Sequence, residues 1–297
     1  MGRLHDDEFA VDAALVRSLV RHRFPGFADV EPVPVSSSGT DNFLFRLGDG
    51  LVVRVPRTPA AARLIDLENR WLPVLAARLP VPLPVPVGVG EPSDDFPWPW
   101  AVSRWIDGVN PVDDLDDPAG LGRDLARFVA ALRRVPVDGG PRGMRSGALS
   151  GRDGDVRAAI ARLRGDDGVD VSAVSAVSAL WDKAMSLPVW DGPDMWAHGD
   201  LSPGNVLVRD GRLAAVLDFG LMGIGDPTVD LVVAWNLLPA PGRAAFRDVL
   251  GVGDDDWARG RAWALSIALI QLPYYRDTNP VLVANSRHVI RQVLAEG

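Results

Sequence analysis

The sequence predicts an α+β protein of two lobes, a β-rich N-terminal lobe over residues 1–105 and a mainly helical C-terminal lobe over residues 106–297. Three observations predict it. Period-two apolar runs separated by tight turns dominate between Val30 and Ile106. Beyond that point apolar residues recur at helical spacing. The length of 297 residues exceeds what one small core needs and suits one large two-lobed unit.

A helix opens the chain over residues 11–23, where Val11, Leu15, Leu19 and Val20 recur on one face before Pro25 and Gly26 stop the pattern. Val33 and Val35 begin a β signal. A polar loop, Ser36–Asn42, separates them from Phe43–Leu47, and the Gly48-Asp49-Gly50 turn leads into Leu51–Val55. Three antiparallel strands are the economical reading. A helix then covers Ala60–Trp71, with Leu64, Leu67 and Trp71 as its apolar stripe and Pro73 as a break or restart. The proline-rich segment 80–100 has valine in its gaps, which predicts extended chain feeding edge strands, and Ala101–Ile106 is the last strand of this lobe. Leu121, Leu125, Phe128, Val129 and Leu132 then share one helix face, and Val174, Val177, Leu180 and Trp181 share another; Asp166-Asp167-Gly168 is an exposed loop between them. The cleft between the lobes is the default site.

Composition narrows the function. The chain has 39 acidic against 31 basic residues, a net charge of -8, which disfavours a nucleic acid partner because phosphate-backbone binding needs the opposite excess. It has no cysteine, which removes disulfides, thiolate nucleophiles and cysteine-ligated metals together. His5, His22, His198 and His288 show no metal-ligand spacing. The N-terminus lacks a signal-peptide apolar run, and Ala262–Leu272 is too short to span a bilayer, so a cytoplasmic protein with no membrane partner is expected.

The chemistry concentrates in Trp196–Val208 and Leu213–Gly220. Asp210-Gly211 between two apolar runs predicts a two-residue hairpin. With Arg209 opposite Arg212, the register places Asn205 opposite Val216 and leaves Asp218 two residues along on the same face. Diagonal neighbours of this kind lie about 7–8 Å apart at Cα, within reach of one Mg²⁺ held by an amide oxygen and a carboxylate. Asp200 sits five residues before Asn205 on a loop broken by Pro203 and Gly204. Its carboxylate can face the same cleft without ligating metal and accept a hydroxyl proton. His198 is expected to brace this loop by hydrogen bonds rather than to move protons. Asp226 and Asp230 are expected as turn and cap residues tying the next helix start to it. The acidic run Asp113-Asp114-Leu115-Asp116-Asp117 is either a solvated loop or helix start, or a screen for a cationic substrate. Trp235, Trp263, Tyr274 and Tyr275 either fill the helical core, the commoner case, or line an apolar pocket.

The pattern H-x-D-x-x-x-x-N followed by D-F-G resembles the catalytic and metal-binding loops of the protein-kinase-like superfamily. Gly199 after His198, together with Gly225-Asp226-Pro227-Thr228-Val229-Asp230-Leu231, resembles more closely the aminoglycoside phosphotransferase family, its antibiotic and small-metabolite kinases included. The resemblance implies a bilobal protein-kinase-like fold and a phosphotransferase that uses ATP or GTP with Mg²⁺ and phosphorylates a small-molecule hydroxyl. It implies Asp200 as the catalytic base and Asn205 and Asp218 as metal ligands. The family's phosphate-binding lysine falls on Arg54, a departure that keeps the charge but changes its shape, and the partner glutamate falls on Glu68. The phosphate loop falls on Ser38, Gly39 and Thr40, with Asn42 beside it, although G-x-G-x-x-G is missing. The backbone of Ser103, Arg104 and Trp105 is implied as the hinge that meets the purine. The implied acceptor is an aminoglycoside, a macrolide or a related antibiotic, with choline, homoserine or sugar-type acceptors open. A degenerate kinase that senses nucleotide or metabolite without phosphotransfer is the alternative from another class.

Overall fold

Alternation over Leu51–Pro56 puts Val53 and Val55 on one face of a strand and Val52 and Arg54 on the other, and the N-terminal lobe is built around that division. A computed structural model of the chain describes residues 8–37, 39–111, 115–164 and 171–296. His5, Ser38, Asp113, Asp114 and the turn expected at 166–168 lie outside the described residues. Strands β1 (Pro32–Pro34), β2 (Asn42–Leu47), β3 (Leu51–Pro56), β4 (Pro86–Gly90) and β5 (Trp100–Arg104) form an antiparallel sheet in the order β1-β2-β3-β5-β4. The proline-rich strands β1 and β4 lie at its edges, where a missing N–H costs no ladder bond.

Helix α1 (Ala13–Arg23) is capped by Asp12, whose side chain accepts from the Leu15 N–H, and it lays Val16, Leu19 and Val20 on the sheet face that carries Phe45, Val53 and Val55. The opposite face, with Val52 and Arg54, borders the cleft. Helix α2 (Pro59–Ala76) starts at the Thr58 cap and runs straight through Pro73, so the expected break is absent. Pro73 points to solvent, and the single backbone bond it forfeits is outweighed by Trp71, Leu72 and Leu75, which are buried on either side of it. The buried stripe is also shifted from the one expected. Ala61, Ile65, Glu68, Leu72 and Leu75 face inward, and Leu64 and Leu67 are only half-buried. A glutamate at its centre hides this stripe from apolar periodicity.

Trp71, Leu72 and Leu75 join the core of the helical lobe, where the Trp71 ring meets Trp196 at 5.0 Å between centroids. That core is formed by α3 (Pro118–Arg133), α4 (Asp153–Arg164), α5 (Val171–Met185), β6 (Met195–Ala197), the hairpin β7 (Val206–Arg209) and β8 (Arg212–Val216), and β9 (Gly223–Gly225). Helices α6 (Val233–Asn236), α7 (Ala240–Leu250), α8 (Asp254–Tyr274) and α9 (Pro280–Glu296) complete it. The helix face expected around Leu125 is buried throughout, and that around Val177 is buried at Val174, Val177 and Trp181 with Leu180 only partly covered. Trp235 and Trp263 fill the core, and Tyr274 is exposed. Among the described residues no helix is long and apolar enough to cross a membrane.

Candidate active site

The hairpin turns at Asp210 and Gly211, whose φ values of 52° and 70° are the left-handed pair that a two-residue turn matching strand twist requires. Arg209 pairs with Arg212 as expected, but the register then changes. Val208 pairs with Leu213 and Leu207 with Ala215, leaving Ala214 as an extra residue, so Val206 rather than Asn205 faces Val216. Asn205 instead accepts the Leu217 N–H at 2.8 Å on its carbonyl. Apolar alternation cannot reveal a bulge whose extra residue is alanine. The bulge brings Asp218 one step nearer to Asn205, and Asp218 leaves the strand at φ 57°, a conformation uncommon for a non-glycine residue and frequent at functional sites.

Asp200 is positioned by a dense set of bonds to its loop. His198 is fully buried; its Nε2–H donates to the Leu217 carbonyl at 2.9 Å, and its Nδ1 accepts the Asp200 N–H at 3.1 Å. Both ring nitrogens are thus committed to the backbone, and the ring edge packs on Phe219 at 4.5 Å. Asp230 accepts the His198 N–H at 2.8 Å and the Gly199 N–H at 2.9 Å, one on each carboxylate oxygen. Burial pushes the Asp230 carboxyl up, against the pull of His198, of these two donors and of Arg133. Asp226 caps the turn at Pro227 by accepting from the Thr228 N–H and hydroxyl. The bracing roles read for His198, Asp226 and Asp230 therefore match the geometry. Gly199 has φ 81°, and a Cβ there would stand 2.6 Å from the Leu221 carbonyl oxygen, which explains a glycine between His198 and Asp200.

Asn205 donates through Nδ2 to the Asp200 carbonyl at 2.9 Å and to its carboxylate at 3.0 Å. This commits the amide nitrogen to Asp200 and leaves the amide oxygen as the donor atom for a cation. On the far side of the cleft Arg54 forms a buried ion pair with Glu68 at 2.7 Å, and Glu68 also accepts the Phe219 N–H at 2.8 Å. Burial disfavours charge on Arg54, but Glu68 and then Asp218 outweigh it and hold its pKa above the ordinary arginine value. The ion pair that the resemblance implies is present, and it is fastened to the D-F-G segment.

One cavity of about 1180 Å³ collects these groups. Gly39, Thr40, Asn42, Arg54, Arg104, Trp105, Asp200, Asn205 and Asp218 all line it. Glu68 lies behind Arg54, and the Ser103 hydroxyl is turned away to donate to the Pro84 carbonyl at 3.0 Å. The Trp105 N–H donates to the Gly50 carbonyl at 2.8 Å, so a base would meet the hinge through other groups. Sequence reasoning missed Arg145, which pairs with the Asp200 carboxylate, and Asn110, whose Nδ2 lies 3.0–3.1 Å from the carbonyls of Pro203, Gly204 and Val206. Both lie in aperiodic segments. Arg145 is set by its backbone: Gly143 donates to Ile224, Ile224 to Pro141 and Asp226 to Ser146, which lays the segment along β9.

The chain is similar to aminoglycoside 3'-phosphotransferase of Escherichia coli, at 30% identity over 121 residues, 38% of this chain and 42% of that protein. It thus aligns with less than half the length of this curated relative. A variant of aminoglycoside 2'-phosphotransferase-IIIa solved with GDP superposes with a TM-score of 0.78 at 21% identity, covering 96% of this chain and 98% of that one. Macrolide 2'-phosphotransferase MphH from Brachybacterium faecium superposes at 0.61 with 19% identity, covering 95% and 97%. These likenesses establish the kinase-like bilobal fold. The phosphotransferase enzyme family matches residues 32–263, across both the sheet and the β7–β8 hairpin, and the chain belongs to that family.

Proposed function

We propose that the protein transfers the γ-phosphoryl group of ATP or GTP to a hydroxyl of a small molecule. The observation that carries this reading is the convergence of Asp200, Asn205, Asp218 and Arg54 on one cavity, with Arg54 and the D-F-G backbone tied together by Glu68. Residues 1–105 hold the nucleotide and residues 106–297 the acceptor. Relatives solved with GDP, and one with streptomycin and ATP, support a nucleotide co-substrate.

The donor set fits Mg²⁺. One carboxylate and one amide oxygen are the hard ligands it takes when phosphates supply the rest, and among the described residues no cluster of three acidic or histidine side chains suggests a different ion. Asn205 and Asp218 would hold it, and bound there it would neutralise charge on the phosphates. Arg54 grips the α- and β-phosphates, while Gly39, Thr40 and Asn42 face them from the loop, with Ser38 assigned there from sequence alone. The Gly39 N–H is engaged by the Ser37 hydroxyl at 3.0 Å, a bond that phosphate contact would exchange. Arg104 and Trp105 flank the base, and Ser103 fixes that hinge through Pro84. Asp200 accepts the acceptor's hydroxyl proton as its oxygen forms a bond to the γ-phosphorus and the bond from that phosphorus to the β–γ bridging oxygen breaks, releasing the nucleoside diphosphate. Asn205 and Arg145 keep the Asp200 carboxylate aimed.

The test is incubation with Mg²⁺, ATP or GTP and a panel of alcohols comprising aminoglycosides, macrolides, choline, homoserine and sugars. Release of nucleoside diphosphate in step with a phosphorylated acceptor is expected. Nucleotide binding without transfer to any member would favour the sensor reading.

A further inference from the structure

The cavity has a second half, on the α8–α9 side, and its described walls carry little charge. Val232, Leu237, Ile267, Ala268, Val281 and Val289 supply apolar surface from the α6, α8 and α9 side. Val281 is 59% exposed at this wall, and Val109 across the cleft is 66% exposed, so large apolar groups meet water at the cavity's mouth. The same cavity is lined by the neutral amides Asn236, Gln271, Asn285 and Gln292 and by His288. The Asn236 side chain donates to the Leu201 carbonyl at 2.7 Å, and its own oxygen is buried without a partner.

Among the described residues the carboxylates are placed elsewhere. Although the chain carries a net charge of -8, the described residues lining the cavity include only Asp41, Asp200 and Asp218 as acids. Asp41 adjoins the phosphate loop, Asp218 stands beside Arg54, and Asp200 is already ion-paired with Arg145. Helices α8 and α9 present no aspartate or glutamate to the cavity. An ammonium group moved from water to that wall would lose its hydration without gaining a counter-charge, and would approach the Arg145 cation as well. An apolar face would leave water there, and its few ether or hydroxyl oxygens could exchange hydration for the side-chain amides of Gln271 and Gln292.

We propose that the acceptor is a largely apolar alcohol bearing at most one positive charge, held by the α8–α9 wall, and not a polycationic amino sugar. This rests on the phosphotransfer reading and narrows its substrate.

Calorimetric titration of the intact protein tests it, with erythromycin as a macrolactone carrying one amine and kanamycin as a polyamine. Erythromycin should bind at least about 10-fold more tightly, with an affinity that changes less than about twofold between low and moderate salt, because apolar contact is not screened. The variant Gln271→Glu, isosteric and outside the catalytic groups, should move the preference toward kanamycin by about 10-fold. Tighter, salt-sensitive kanamycin binding by the unaltered protein would overturn the proposal, as would failure of erythromycin and other apolar alcohols to bind. Transfer assays on the same samples separate the two levels. Asp200-dependent phosphorylation of kanamycin in preference to erythromycin sinks this inference and leaves phosphotransfer standing. Preferential erythromycin binding without transfer to any alcohol sinks phosphotransfer and leaves the cavity's preference standing.

Discussion

The resemblance puts the family's phosphate-binding lysine on Arg54, and the ion pair with Glu68 bears on how a guanidinium would serve in the proposed role. A guanidinium can meet Glu68 and a phosphate oxygen together, whereas an ammonium is a compact point charge. The pair is 2.7 Å apart and almost wholly excluded from water. Removing one member leaves the other buried without its partner, a loss of about 3–5 kcal/mol, while removing both leaves only a cavity. Urea unfolding should therefore show Arg54→Ala and Glu68→Ala each strongly destabilised and the double variant costing less than their sum; simple additivity would mean the pair does not act as a unit. Arg54→Lys should fold and keep part of its nucleotide affinity. Gly199 makes a sharper case. With φ 81° and the Leu221 carbonyl 2.6 Å from any added Cβ, Gly199→Ala should cost about 1–3 kcal/mol and reduce turnover at least 10-fold by displacing Asp200. A variant with normal stability and rate would show that the loop tolerates a side chain there.

At the scale of elements, the hairpin that carries Asn205 and Asp218 is fastened from outside. Arg212 forms two parallel hydrogen bonds to Asp124 on α3, both 2.7 Å, and the Leu213 N–H and Arg127 reach the same carboxylate. These donors, the Arg212 side chain first, hold the Asp124 carboxyl below the usual carboxylate range. Its folded pKa is depressed, so its contribution to stability is present above the unfolded value near 4 and is lost as pH falls through the folded one. Asp124→Asn should lower the melting temperature slightly at neutral pH, and the difference should close in acid and shrink in high salt. A difference that persists below the folded pKa would assign the effect to packing.

The hairpin also shows what was legible in the sequence. Asp210-Gly211 announced the turn, and the spacing of Asp200, Asn205 and Asp218 announced that the three would meet in one cavity. The bulge at Ala214 was not legible, since an extra small residue leaves apolar alternation almost unchanged. Nor was Arg145, whose approach to Asp200 depends on a non-periodic segment lying along β9, a contact between distant parts of the chain. Pro73 misled for a related reason: propensity argued for a break, and the burial of Trp71, Leu72 and Leu75 prevailed.

Across the whole molecule, the two lobes meet where the sheet's polar face looks onto the catalytic loops. Helix α2 couples them, contributing Glu68 to Arg54 and to the D-F-G backbone while Trp71, Leu72 and Leu75 enter the helical core. A second link crosses the cleft from Thr40 on the phosphate loop to Tyr275 beyond α8, a hydrogen bond that opposes the upward push of burial on the tyrosine's pKa. Nucleotide and acceptor would therefore bind to walls already joined at two points. The central claim is that this cleft moves a phosphoryl group with Asp200 as the proton acceptor. Its most direct test is single-turnover transfer from γ-labelled nucleotide, comparing the unaltered protein with Asp200→Asn at saturating nucleotide and acceptor. The account predicts transfer slowed by about 10²–10⁴-fold with nucleotide affinity nearly unchanged. An Asp200→Asn protein that transfers within a few-fold of the unaltered rate would contradict it.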